Sequence, residues 1–516
     1  MVSDSAGDVI GVVIIARHGD RRGYYQSPDT YTASDTIITP LGEVKEWQLG
    51  ALLRSIYLNE SSSSYIQGIA PLTSAFNLSQ VQVYADNSGE GSVIMDSAAA
   101  LVQGLWQPTD LQNTTLANGS TIISPLGGYQ YVPINSVDPD GDITVDGTTD
   151  CTAFNTHTTT VYNSSLFQAK AEAASLFFSA LSPYVGDRSL QLSNMVGSRI
   201  FDYVNVQSIH NATFASALPD GLLAQARALV NWQQYQVFTD PSFDGIGNVG
   251  FRTMLPGILD SFDQFQNASA GLKLSYYAIS YKPFLGLFNM TGAVNDGQVP
   301  EAIVDYAGST VFELRQPSNS SEPTVRLMFK NGTSAAEYSP VTMSFAGWDG
   351  AGRGTDVPLS TFASAFAPAA VNSTAEWCQI CGTTAERGCA EALAAATAAA
   401  GSGGHARISR VGAGFLGAGL TAAVFLMALG VLVFLGVLTA GGRRWRKGGV
   451  ALSEENIRSK GGEGEIHFEV SSELFAACTG LMSIAGELIV QDTCVNSWGR
   501  EEIAPRPRIR VPGFKF

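Results

Sequence analysis

The chain has 516 residues, a formal net charge of −16 and 45% hydrophobic residues. That length is ample for one large core with an inserted subdomain. Up to residue 405 it carries 17 Lys+Arg against 36 Asp+Glu, a net charge of −19. This excludes nucleic acid as a partner, because a phosphate backbone needs a basic surface.

The first informative element is an apolar run, Val12-Val13-Ile14-Ile15-Ala16, which reads as a buried parallel strand. It ends in Arg17-His18-Gly19-Asp20-Arg21. The carboxyl end of a buried strand is where open α/β sheets place ligands. A neutral imidazole can attack phosphorus, and flanking guanidinium forks match phosphate oxygens. His18 is therefore the candidate nucleophile, and Arg17 and Arg21 are the candidate phosphate ligands. Residues 8–110 read as strand-helix-strand-helix. Residues 111–240 lack strand signals, and Ser165 to Val237 has helical spacing, as in Leu166-Phe167-Gln168-Ala169-Lys170-Ala171. A helical insertion over the pocket is expected there. Residues 245–345 return to the sheet.

Arg17-His18-Gly19-Asp20-Arg21 resembles the signature of the histidine phosphatase superfamily, in its acid phosphatase and phytase branch. Thr39-Pro40-Leu41-Gly42 and Gln48-Leu49-Gly50 are similar to that family's first helix. Tyr306-Ala307-Gly308-Ser309 with Val311 to Arg315, and Thr324 to Phe329, resemble its closing strands. The resemblance covers about residues 9–345. It implies a phosphoglycerate mutase-like α/β/α sandwich, hydrolysis of phosphomonoesters through a phosphohistidine, and no metal or nucleotide cofactor.

The chain departs from the family in two places. The family supplies a further Arg from the strand-helix junction after the first helix. Here Val83 to Ala98 contains no Arg or Lys, and Glu90 and Asp96 stand there instead. The family also carries a His-Asp pair at the end of a late strand. Leu274 to Met290 contains neither residue; such a pair would fall near Ile279-Ser280. Lys282 is the one cation in that stretch and the candidate substitute. Asp20 and Glu90 are the nearest acids, with Asp20 read as orienting the ring or facing solvent. His157, in a polar loop-like run, and His210, before a sequon, read as surface.

Cys151, Cys378, Cys381 and Cys389 form an even set that fits two disulfides, with three connectivities open. Eleven Asn-x-Ser/Thr sequons (Asn59, Asn77, Asn113, Asn118, Asn163, Asn211, Asn267, Asn289, Asn319, Asn331 and Asn372) all precede residue 375. Val411 to Leu438 is uncharged and long enough to span a bilayer, and Arg443-Arg444-Trp445-Arg446-Lys447 follows it. The expected organisation is an extracellular or luminal domain over residues 1–391 and a stalk over 392–407. A transmembrane helix over 408–440 and a disordered cytoplasmic tail over 441–516 would follow. A signal peptide is expected for this single-pass type I topology, and Met1 to Asp8 does not read as one. The partners implied are a phosphomonoester or other small anion, and the bilayer. Two functions remain: a membrane-anchored acid phosphatase, or a catalytically degenerate relative that binds an anion or ligand at the cell surface.

Overall fold

The computed structural model describes residues 7–23, 36–87, 92–137, 142–195, 200–295, 297–350 and 354–401. Strand β1 (Asp8–Arg17) leads through α1 (Pro40–Leu53) to β2 (Val81–Asp86) and α2 (Val93–Leu105). A hairpin of β3 (Asn113–Thr115) and β4 (Thr121–Ile123), a single turn α3 (Pro125–Gly128) and the short β5 (Asn135–Val137) follow. Then come α4 (Thr152–Asn163), α5 (Ser165–Ala173), α6 (Ser175–Leu181), α7 (Phe201–His210), α8 (Ala212–Ala217) and α9 (Leu222–Val237). Helices α10 (Val249–Arg252) and α11 (Leu255–Gln266) return the chain to β6 (Leu274–Ile279) and α12 (Lys282–Met290). Strands β7 (Ser309–Gln316), β8 (Thr324–Lys330), β9 (Ser339–Val341) and β10 (Asp356–Pro358) precede α13 (Leu359–Phe366), α14 (Thr374–Cys381) and α15 (Cys389–Gly401).

The main sheet runs β10-β8-β7-β1-β6-β2-β5, with β9 paired to β8. The apolar run of the sequence is its centre: β1 lies parallel to β6 and antiparallel to β7. Its side chains alternate between two cores, as the strand period of two requires. Val13 and Ile15 join Phe262 of α11, Phe288 of α12 and Phe362 of α13. Val12 and Ile14 join Leu49 and Leu53 of α1 and Leu101 of α2. Helices thus cover both faces of a mixed α/β sheet, in three layers.

Helix α1 starts where Thr39 caps it, its hydroxyl accepting from Gly42 N at 3.2 Å, with Pro40 in the first turn. Helices α1 and α2 touch through glycine. A Cβ on Gly50 would stand 2.0 Å from the Leu101 carbonyl oxygen, and one on Gly104 2.2 Å from that of Trp47. This close approach packs the second half of α1 against the last turns of α2.

The insertion is helical as expected, with a core of its own that includes Phe177, Leu181, Val204 and Val230. Two expectations for it are corrected. Residues 111–240 do contain strands: the β3–β4 hairpin, and β5, which pairs in parallel with β2 at the sheet edge. These segments are three residues long, too short to show a period of two. His157 sits on α4, not in a loop. Thr156, Thr158, Thr159 and Thr160 each turn their hydroxyl back to a carbonyl four residues earlier, so these hydroxyls are satisfied within the helix itself.

Cys151 pairs with Cys381 and Cys378 with Cys389. The first bond ties the start of α4 to α14; the Cys378-Gln379-Ile380-Cys381 segment is not closed on itself. Most of the expected stalk is helix, since α15 runs to Gly401. No helix among the described residues is long and apolar enough to cross a membrane, and Val411 to Leu438 and the tail lie outside them.

Candidate active site

His18 follows the last residue of β1, and its own backbone N–H donates to the Ile279 carbonyl at 3.1 Å, at the end of parallel β6. Gly19 turns the chain: its N–H donates to Ser97 Oγ at 3.0 Å, and Ser97 in turn donates to the Val93 carbonyl. A Cβ on Gly19 would stand 2.8 Å from the Gly42 carbonyl oxygen, so α1 packs directly on the turn. His18 Nδ1 lies 2.8 Å from the carbonyl oxygen of Gly19. A carbonyl only accepts, so in the neutral ring Nδ1 carries the proton and Nε2 carries the lone pair. The ring is 1% exposed and tilted against Tyr306, with centroids 5.5 Å apart.

Both expected arginines are present and buried. Arg17 donates through Nη1 to the Val304 carbonyl at 2.5 Å, and its guanidinium lies 4.3 Å from the ring centre of Tyr306 and 5.2 Å from that of Tyr281. Arg21 Nη1 lies 3.1 Å from Asp202 Oδ1, on α7 of the insertion. Burial pushes the Tyr306 phenol up. Arg21 acts against that, Asp202 adds to it, and Arg17 and Asp20 act on it in turn. One phenol therefore has these four charged groups around it.

Asp20 neither orients the His18 ring nor faces solvent. It is fully buried, and its Oδ2 accepts from Thr39 Oγ1 at 2.5 Å and lies 2.8 Å from His210 Nε2. His210 is exposed, as its surface reading has it, yet it takes part in this cluster. Its side chain is 35% exposed, but one nitrogen reaches the signature loop. Local sequence gave no sign of this, because the partners lie 190 residues apart. His157 does remain peripheral, with Nδ1 3.9 Å from Asp240 Oδ2.

At the end of β6, Ile279 is fully buried in the core, so the strand end beside His18 offers Ser280 and Tyr281 instead. Ser280 is 6% exposed, and Tyr281 donates its hydroxyl to Gln234 Oε1 of α9 at 2.7 Å. Lys282 is half-buried at the first position of α12. At the β2–α2 junction Asp96 accepts from Ser92 Oγ at 2.5 Å, and Glu90 lies outside the described residues.

Behind Arg17, Glu46 of α1 is fully buried, with no hydrogen-bond partner for either carboxyl oxygen among the described residues. Burial raises its carboxyl well above the usual range, and Arg17 and then Lys330 act against that rise.

No known family's sequence profile and no curated protein matches the chain. Solved structures do. It is similar to the phytase of Klebsiella sp. ASR1, at 15% identity over 71% of this chain and 96% of that one, with a TM-score of 0.49. It is similar to Hafnia alvei phytase in complex with myo-inositol hexakis sulphate, at 13% over 72% and 99%, with a TM-score of 0.48. It is also similar to the Bifidobacterium longum multiple inositol polyphosphate phosphatase complexed with phosphate, at 11% over 71% and 94%, with a TM-score of 0.38. At these identities the site is assigned from the chain's own geometry.

Proposed function

We propose that the chain is a membrane-anchored, outward-facing protein of the histidine acid phosphatase type. It binds phosphomonoesters between Arg17 and Arg21 and hydrolyses them slowly through a phosphohistidine at His18. The observation that carries this reading is the His18 ring: Nδ1 is held by the carbonyl of Gly19, which leaves Nε2 as the nucleophile, and the ring shares Tyr306 as a neighbour with Arg17 and Arg21. Attack on phosphorus would form the N–P bond as the P–O ester bond breaks and the leaving oxygen takes a proton from solvent, and water would then attack phosphorus, break the N–P bond and release phosphate. Slow turnover is expected because the sequence supplies no third Arg at the β2–α2 junction and neither His nor Asp between Leu274 and Met290. Each missing preorganised partner is worth roughly 10²–10³ in rate, and such losses do not simply add. Lys282 at the start of α12 is the substitute cation in this scheme. Binding without turnover is the second reading, favoured by Ser280 and Tyr281 standing where a proton donor is needed.

The test uses the full-length protein in detergent: hydrolysis of an aryl phosphate at acidic pH, and thermal melting with and without millimolar phosphate or vanadate. Stabilisation by the anion is expected from mass action. No shift, or the same shift in Arg17→Ala/Arg21→Ala, removes the site. Turnover in the ordinary enzyme range, about 1–10³ per second, would refute the impaired-catalyst reading.

The outward placement rests on disulfide pairing and on the sequons. Eight sequon asparagines (Asn77, Asn113, Asn118, Asn163, Asn211, Asn267, Asn319 and Asn372) are exposed. Asn289 is instead engaged, its amide donating to the Asp240 carbonyl at 2.9 Å and to Asn248 Oδ1 at 3.1 Å. Endoglycosidase should lower the apparent mass of the protein from a glycosylating host, and Asn289→Gln should leave that mass unchanged. Unaltered migration after the enzyme would refute the topology.

A further inference from the structure

We propose that Asp202 is an internal anion seated in the phosphate clamp, and that helix α7 must lift away for a phosphate ester to bind; the proposal rests on the phosphate-site reading above. The clamp is Arg21, and the group on it is a carboxylate: Asp202 Oδ1 lies 3.1 Å from Arg21 Nη1, with the two side chains 16% and 8% exposed. A carboxylate oxygen on a guanidinium makes the same charge-assisted contact as a phosphate oxygen, so the two compete for one fork. A like charge left in place would also repel an incoming dianion.

Helix α7 holds the signature loop at both of its ends. Asp202 in its first turn takes Arg21, and His210 at its last residue takes Asp20 at 2.8 Å. Each contact opposes the charge of its partner. The apolar side of α7 belongs elsewhere: Tyr203 and Val204 pack in the insertion core with Leu222, Ala226 and Val230 of α9. What α7 presents to the β1 loop is thus polar and exchangeable for a ligand's oxygens. What holds it from behind is the insertion. A helix with its apolar side packed from behind and its polar ends on the signature loop is suited to act as a lid. The fraction of molecules with α7 lifted then scales the apparent phosphate affinity, since binding is open only to them.

Removing the carboxylate should therefore tighten binding. With inorganic phosphate as the probe, and calorimetry on the full-length protein in detergent, Asp202→Asn and Asp202→Ala should each bind at least tenfold more tightly than the parent. In the parent itself, saturating phosphate should speed hydrogen exchange of the α7 amides. Unchanged or weaker phosphate affinity in the variants, with the parent binding phosphate, overturns the inference and leaves the site reading intact. Unchanged α7 exchange under saturating phosphate overturns it equally, and needs no variant. Turnover lost in Asp202→Asn at unchanged phosphate affinity would make Asp202 a proton donor and also overturn it. Absence of phosphate binding in parent and variants alike overturns the site reading and this inference together.

Discussion

The Arg17–Arg21 loop and helix α7 meet at one site but arise in different ways. The loop is built by its neighbours in the sheet: β1 carries it, β6 accepts its backbone N–H, and Ser97 and Gly42 of the two helices packed on that face shape its turn. Helix α7 packs its apolar side in the insertion core and reaches the loop with Asp202 and His210. His18 is therefore set by the sheet and the helices packed on it, while Asp202 and His210 come from the insertion. A chain can keep the first and still change its chemistry through the second.

The sharpest break of this comparison is at the loop. His18→Ala should abolish phosphate ester hydrolysis, a loss of at least about 10³-fold, since removing a nucleophile disables the whole catalytic unit. The folded protein should persist, because the buried frame around the loop is unaltered. Assay at acidic pH beside a melting curve checks both. Activity surviving in His18→Ala would move the chemistry elsewhere in the chain.

Rebuilding the frame is the converse experiment. The register of β1 on β6 ends with Arg17 opposite Ile279, so Ser280 and Tyr281 follow on that strand as His18 does on β1, and Ser280→His/Tyr281→Asp should supply a cation and an acid there. A general acid contributes about 10²–10⁴. A gain of at least tenfold is expected, reduced by loss of the Tyr281 contacts to Arg17 and Gln234. No gain, in a variant that still melts cooperatively, would mean that the insertion already supplies the acid.

At the insertion, the first disulfide is the anchor. Cys151→Ala/Cys381→Ala opens a loop closed across 230 residues and should cost about 2–5 kcal/mol of stability. Denaturant titration measures it. A loss confined to the insertion, seen as a second transition, would show that the two bodies unfold separately. A single transition would show that they are coupled.

The difference in origin also explains what the sequence revealed. The β1 run and the signature are readable because each is settled by residues within a few positions, through strand period and turn geometry. The closing strands β7 and β8 are readable for the same reason. Asp202 and His210 were invisible because their partners lie far away in sequence and nothing local distinguishes them from surface groups. Glu46 was equally silent: one carboxylate on an otherwise ordinary helix, whose burial only the packing of α1 on the sheet decides.

Glu46 gives the smallest effect and the finest test of how rigid the frame is. Burial raises its folded-state carboxyl above the ordinary value of 4.5, with Arg17 and Lys330 only partly opposing. For such a group the folded protein holds the proton more tightly than the unfolded chain. The stability it contributes is fully present below the unfolded value and is lost as the pH rises through the folded one. The loss therefore begins above about pH 4.5 and grows toward neutrality. Glu46→Gln keeps the shape without an ionisable proton, so it should flatten that decline and stabilise the protein at pH 7 by about 1 kcal/mol or more. Melting curves from pH 4 to 8 compare parent and variant. A variant less stable than the parent at pH 7 would mean that an ionised Glu46 is held by Arg17 and Lys330. The cation beside the nucleophile would then be tied from behind as well as in front, and the rigidity of the loop would owe as much to buried charge as to the packing of the sheet.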